Sequence, residues 1–413
     1  MRSFVRYIIF LLSLNGPLMG QEKTLDDYVN TALQNSPLLK DYTNQQKLNQ
    51  VDSLRILAGY KPQVTAISTN TYAPTYHSYG YDNAITNGGQ FSELVTVNKL
   101  LIGKKNLNNQ LDAVLLLNRS LEITGKISGQ DLKKAVTAQY VTAYGTSQEL
   151  KFNEEMLTLL RKEEVILRKM AEKGVYRQTD YLIFLTTLKQ QELVNTQSKI
   201  LLQKEYAALN YLVGIKDTGT AILRPPLLSP EMVADVEGTI FYQQFITDSL
   251  KLRNSDALID YNYKPKVSLY GDAGFASTFT DHAYRNWGAS FGVTLAVPIY
   301  DGHQRKMQHT KIEMQEQTRQ QYRDFFKVQT AQQLADLYQQ LQSTRQLISQ
   351  TADQLKYASA LIAANQKLMN TGDVHMADYV LAIGNYMAAK NILTQNTINE
   401  LQIINQINYW NGK

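Results

Sequence analysis

The sequence predicts an α+β membrane protein in which long antiparallel, coiled-coil-like helices join four β-strands, laid out as an internal duplication. Three observations carry this. Two segments of about 70 residues each run without proline in helix-forming, polar composition, roughly 100 Å of helix apiece. Two stretches of the second half, 267–275 and 286–302, have the alternation of strands that cross a bilayer, and two of the first half, 61–72 and 92–102, carry it weakly. Three landmarks recur in the same order about 200 residues later, too long a period for a solenoid.

The landmarks define the repeats. Tyr60-Lys61-Pro62 returns as Tyr263-Lys264-Pro265. Gly103, with Lys104 and Lys105 behind it, returns as Gly302 with Arg305 and Lys306. Gly174 and Asp180 return as Gly372 and Asp378. The expected layout is therefore residues 1–20 as an export signal, a first repeat over 21–217, a linker over 218–230 and a second repeat over 231–413. The linker TGTAILRPPLLSP holds Pro225, Pro226 and Pro230. The signal rests on basic Arg2 and Arg6, the apolar run YIIFLLSL, a Gly16-Pro17 break and small Gly20. That run is too short to span a bilayer, which takes about 20 residues.

Composition narrows the function classes. The 413 residues carry a net charge of +5, with no Lys/Arg run, so a nucleic-acid partner is not expected. Cysteine is absent, which excludes disulfides, thiolate metal sites, a Cys nucleophile and a Cys-borne lipid anchor. The five histidines show no metal-pair spacing; His303 and His309 are off the i,i+4 step. HExxH, GxSxG, P-loop and GxGxxG patterns are missing. An enzyme is not expected, and no cofactor is implied.

Each repeat reads as helix, two strands, very long helix, break, helix. Helices are expected over 24–58 with Thr24 as N-cap, 104–172, 178–212, 231–258, 303–369 and 376–409. Gly125, Gly129 and Gly145 weaken the middle of the 104–172 helix. Gly174 and Gly372 are placed to end the long helices in left-handed geometry. The two shorter helices of a repeat sum to about the length of its long one, so they fit end to end along it. Helices this long need partners along their whole length.

Strands are expected over 61–72, 92–102, 267–275 and 286–302. In the last, Trp287, Phe291, Val293, Leu295, Val297 and Ile299 share one face with Ala289, against a small and polar face of Gly288, Ser290, Gly292 and Thr294. A half-buried soluble sheet alternates in the same way. Strand length and aromatic residues at the ends (Tyr72, Tyr76, Tyr79, Tyr81, Phe279, Tyr284, Trp287, Tyr300) favour membrane strands with the apolar face on lipid. Four strands cannot close a barrel, and open edges cannot sit in lipid. The chain must then oligomerise, to eight strands from two copies or twelve from three.

The signal, the duplicated plan, VPIYDGHQRK closing the fourth strand and the paired Gly…Asp-Tyr breaks together resemble the TolC-like outer-membrane efflux proteins, over essentially the whole mature chain. The resemblance implies a homotrimer whose twelve strands form one barrel in outer-membrane lipid of a Gram-negative bacterium, with a helical periplasmic tunnel. It implies a periplasmic adaptor (membrane fusion) protein and an inner-membrane pump of RND or ABC type as partners. It also implies site residues. Gly174, Val175, Tyr176, Arg177 and Asp180 of the first hairpin, with Gly372 of the second, fall at the adaptor-docking tips. Asp378, with Asp373 and Tyr379 beside it, falls at the tunnel entrance, where three copies would form a carboxylate ring. The family's second acid, three positions on, is Leu381 here. For both Asp180 and Asp378 the ordinary alternative is stabilisation of a helix N-terminus. Tyr181 and Tyr379 also read as packing residues. The competing function is a non-conducting periplasmic coiled-coil scaffold or adaptor.

Overall fold

A computed structural model describes residues 22–74, 76–81, 89–101, 103–217, 219, 221–232, 235–278 and 285–412. The export signal expected over 1–20, and Phe279 and Tyr284 of the aromatic set, lie outside them. The element order is α1 (Leu25–Asn35), α2 (Pro37–Gly59), β1 (Gln63–Tyr72), β2 (Gly89–Leu101), α3 (Lys104–Glu172), α4 (Gln178–Val213), a 3-10 turn (Val236–Gly238), α5 (Ile240–Asn262), β3 (Lys266–Ser277), β4 (Trp287–Ala296), α6 (Gln304–Thr371) and α7 (Met376–Trp410).

Two helix expectations need correction. The helix expected over 24–58 is two helices, because Pro37 has no N–H to continue α1 and begins α2 as its first residue. The helix expected from 231 begins at Ile240. Asp235 caps the 3-10 turn instead, accepting from Glu237 N at 3.0 Å, and Thr239 returns to extended backbone before α5 starts. Thr24 does cap α1: its hydroxyl accepts from Asp27 N at 3.2 Å, and Asp27 Oδ2 accepts from Thr24 N at 2.9 Å. Thr24→Ala is expected to cost about 1 kcal/mol, read as a small drop in thermal midpoint.

The three glycines do not break α3, which is continuous from Lys104 to Glu172. Gly145 shows why. A Cβ there would stand 2.1 Å from Ile398 Cδ1, so the missing side chain lets α7 lie close against α3. Gly125 likewise packs on the Tyr42 ring.

The described residues divide into two compact units, within Met1–Lys40, Lys126–Ile240 and Lys327–Lys413 for the first and within Asp41–Gly125 and Phe241–Phe326 for the second. Each unit draws on both expected repeats, because strands and helices of the two halves pair with each other.

The first unit is helical. One core packs Tyr28, Val29 and Ala32 of α1 against Val136 and Tyr140 of α3 and Tyr206, Leu209 and Val213 of α4. Tyr28 Oη donates to Tyr206 Oη at 2.8 Å. The expected linker is sewn into this core. Leu223 is buried, Lys23 N donates to Ile222 O at 3.2 Å, and Arg224 N donates to Lys23 O at 3.3 Å. Tyr140 Oη sits 2.7 Å from Arg224 O and 3.0 Å from Lys23 O, so its one proton is placed between carbonyls of both strands of this bridge. A second core joins α3, α4, α6 and α7 and is described with the site.

The second unit holds one antiparallel sheet in the order β1-β2-β3-β4. β2 pairs β3 with Val95 opposite Ala273 and Leu101 opposite Val267, so the two halves of the chain meet at the centre of the sheet. The fourth strand is shorter than expected. Its ladder ends at Ala296, and Val297 and Ile299 fall beyond it around Pro298, which has no N–H to give. Reciprocal bonds between Asn109 of α3 and Asn254 of α5 tie the helices of this unit, with Asn109 Nδ2 2.7 Å from Asn254 Oδ1 and Asn254 Nδ2 3.1 Å from Asn109 O.

Candidate functional site

Two places in the chain carry the expected site residues: the paired helix turns and the strand face. The turns are copies of one another in hydrogen bonding. At the end of α3, Gly174 N donates to Ala171 O and Val175 N to Met170 O, with Gly174 at φ +78. At the end of α6, Gly372 N donates to Met369 O and Asp373 N to Leu368 O, with Gly372 at φ +80. Both are Schellman closures that need a residue free of the left-handed penalty, which glycine is. The next helices start alike. Arg177 and His375 are extended caps, and Asp180 and Asp378 stand at the third helical position.

The two aspartates then diverge. Asp180 Oδ2 accepts from Arg177 N at 3.2 Å, closing the helix start on itself. Asp378 makes no side-chain hydrogen bond or ion pair among the described residues and is exposed, as is Asp373. Val175, Arg177 and Gly174 are exposed, Gly372 is half-buried and Tyr176 is buried. A Cβ on Gly372 would stand 2.9 Å from Val175 Cγ1, so the two turns touch.

Beneath the turns lies a core drawn from both hairpins: Leu160 and Leu167 of α3, Phe184 and Leu188 of α4, Ile362 and Met369 of α6, and Met376, Tyr379 and Ile383 of α7, with Tyr176 and Val374 from the turns themselves. Tyr176 Oη donates to Met369 O at 3.2 Å, joining the first turn to the last residues of α6. Tyr379 is fully buried, and its hydroxyl has no partner among the described residues. Burial, and then the nearby Glu163 carboxylate, push its hydroxyl far above the usual tyrosine range. Glu163 is itself buried; Gln366 Nε2 donates to its Oε1, and its Oε2 is unpaired. Tyr181, the counterpart of Tyr379, donates to Glu164 Oε1 at 2.7 Å. That bond first, and Arg168 after it, hold the Glu164 carboxyl below its ordinary value. The Glu163–Gln366 link had no sequence signal, since the two side chains are 203 residues apart.

The strand face is built by register. Across the sheet, Val64, Val97, Gly271 and Phe291 form one row and Phe275 and Trp287 part of another, with Leu269 against Val293 and Val267 against Leu295. These side chains share one face. Phe291 is 93% exposed and Leu295 62%, so nothing among the described residues covers that face. The other face carries Thr65, Thr96, Asp272, Ser290, Thr294 and Asn98. Ser290 Oγ lies 2.9 Å from each Asp272 carboxylate oxygen. Gly292 leaves room there for Tyr270, whose hydroxyl would stand 2.5 Å from a Cβ at that position and would have to move aside. The outer edges of β1 and β4 have no strand partner among the described residues. Exposed Tyr72 and Trp287 mark one end of the sheet and exposed Tyr300 follows the other. Val297 and Ile299 stay exposed in the connection.

No described helix is long and apolar enough to cross a membrane, and no group of three His, Asp or Glu that would hold a metal occurs among the described residues.

This architecture is that of the outer-membrane channel protomers, the TolC-like fold that the sequence resemblance implied. The outer membrane protein VceC of Vibrio cholerae matches at 14% identity and TM-score 0.76, over 94% of this chain and 96% of that one. The Campylobacter jejuni CmeC outer membrane channel matches at 11% identity and TM-score 0.73, over 94% and 85%. The open state of the Neisseria gonorrhoeae MtrE outer membrane channel matches at 10% identity and TM-score 0.73, over 94% and 88%. No family model matches the chain, and no curated protein matches its sequence.

Proposed function

We propose that this chain is one protomer of a homotrimeric outer-membrane channel, the exit duct of a tripartite efflux or type I secretion system. The observation that carries the reading is the sheet: four strands with an uncovered apolar face and two unpaired edges. The apolar face is unfavourable in water, and the unpaired edges are unfavourable in lipid. Three copies joined edge to edge give twelve strands, with the Phe291 face on lipid and the Asp272 face on an aqueous lumen. The exposed stripe Leu48, Val51, Leu54 and Leu57 on α2 likewise needs a neighbour. The paired turns and the similar element order of the two halves support a duplicated layout.

The touching turns of the two hairpins are the surface for a periplasmic adaptor, which would bring the duct to an inner-membrane pump of RND or ABC type. Asp378 is exposed and unpaired, so three copies would place an uncompensated carboxylate ring at the entrance, attracting cations. Asp180 is engaged in its own helix start. Asp378→Ala is therefore expected to change single-channel conductance and cation block more than Asp180→Ala. Equal, negligible effects of the two would remove Asp378 from the entrance.

The experiment that tests the function is conductance of the detergent-purified oligomer in a planar bilayer, with its mass measured alongside. A trimer with discrete openings is expected. A soluble oligomer released by salt, without conductance, would favour the scaffold reading instead.

A further inference from the structure

We propose that Asp256, Asp260, Arg305 and His309 form a proton-operated clamp between α5 and α6, closed by the imidazolium and slackened by the neutral ring. His309 Nδ1 is 2.6 Å from Asp256 Oδ1 and Nε2 is 3.1 Å from Asp260 Oδ1. Both ring nitrogens thus face carboxylate oxygens, which accept and do not donate. Only the imidazolium donates from both nitrogens; the neutral ring turns one lone pair onto a carboxylate. Arg305, one turn before His309, donates to the same Asp260 Oδ1 at 2.7 Å. With the ring charged, two cations on α6 meet two anions on α5. When the ring loses its proton, the group carries one net negative charge and one repulsive contact.

The surroundings favour the charged ring and let its proton exchange. From α5, Asp256 and Asp260 face it, with Arg253 a turn earlier; from α6, Arg305, Lys306 and Glu313 lie alongside. These six residues, other than Asp260, line an open cavity of about 750 Å³ with His309, so water reaches the ring. Asp301 is occupied at the start of α6, accepting from His303 N at 2.9 Å and Arg305 N at 2.7 Å. The Asp256 hydrogen bond first, against some loss of solvation, raises the His309 pKa from its ordinary value. A raised folded-state value means the stabilisation is complete below the ordinary histidine range and is lost as pH rises through the raised one. α5 leads into β3 and α6 follows β4, so the clamp holds the stem of the β3–β4 hairpin. It lies within one chain and does not depend on the channel reading.

The test is amide hydrogen exchange on the full-length chain in detergent at about pH 6 and about pH 8.5, each rate corrected for intrinsic exchange, read beside histidine ring titration by carbon NMR. In the wild type, protection of 253–262 and 303–312 is expected to fall about tenfold for each unit by which the ring's pKa is raised. In His309→Gln the pH-dependent part is expected to vanish. The ring signal missing from His309→Gln should titrate above free histidine, and Asp256→Asn should move it down. A wild type with no pH-dependent fall, an equal fall in His309→Gln, or a ring titrating at or below free histidine would each overturn the clamp.

Discussion

Phe291→Arg is expected to keep the chain out of the outer membrane, while Thr294→Arg, three residues on, is expected to leave it there. Phe291 is almost fully exposed in the single chain and pairs across to Gly271, so no protein core is lost when it changes. In water the substitution would cost nothing and would improve solubility. On a lipid face it places a guanidinium in hydrocarbon, at about 2–4 kcal/mol per copy near the bilayer midplane. Three copies make a penalty of roughly 6–12 kcal/mol on one assembled barrel, enough to abolish it. Thr294 lies opposite Ser268 on the polar face, where a charge would meet the lumen of the proposed barrel and would alter conductance without blocking assembly. The measurement is the amount of heat-sensitive oligomer extracted from outer-membrane fractions. Equal recovery of the two variants would mean the Phe291 face does not meet lipid, and the barrel would be lost with it.

The second large effect lies in the core beneath the turns. Tyr379→Ala should cost about 3–5 kcal/mol, because a fully buried ring leaves a cavity between α3, α6 and α7 that neighbours only partly fill. Tyr379→Phe should be neutral or stabilising by up to about 1 kcal/mol, since it removes a buried hydroxyl that has no partner among the described residues. Exchange protection of 160–190 and 360–385 reads both: a collapse in the alanine variant, and wild-type or better in the phenylalanine one. Conductance separates packing from gating. An unchanged closed state in Tyr379→Phe confines Tyr379 to packing; a leakier one gives its hydroxyl a part in closure.

The helix turns show how far local chemistry reaches. Gly174 and Gly372 announced their left-handed closures because only glycine adopts that geometry without penalty, and the hydrogen bonds that follow are all within six residues. The extent of α3 was equally readable from an uninterrupted helix-forming run. Pro37 was readable too, yet a helix of the right composition on both sides masked the break. The strand face followed from period-two alternation, but its end did not: the ladder stops at Ala296 while the apolar alternation runs on to Ile299, because alternation records side-chain faces and not hydrogen bonds.

Histidine 309 marks the limit of sequence spacing. Against His303 its spacing suggested nothing, and its real partners, Asp256 and Asp260, lie on another helix about 50 residues away. Asp378 and Tyr379 are adjacent in sequence, yet one is exposed and the other is in the core, since successive side chains on a helix point about 100° apart. Sequence by itself determined the long helices α3, α4, α6 and α7, the apolar face of the strands and the glycine turns, all set by interactions within a few residues or by a period along one element. Tertiary structure alone decided which glycines admit a neighbouring helix, that the proline-rich linker is pinned by Tyr140, and which titratable groups meet. Those depend on distances between segments far apart in the chain, and such distances exist only once the helices have packed.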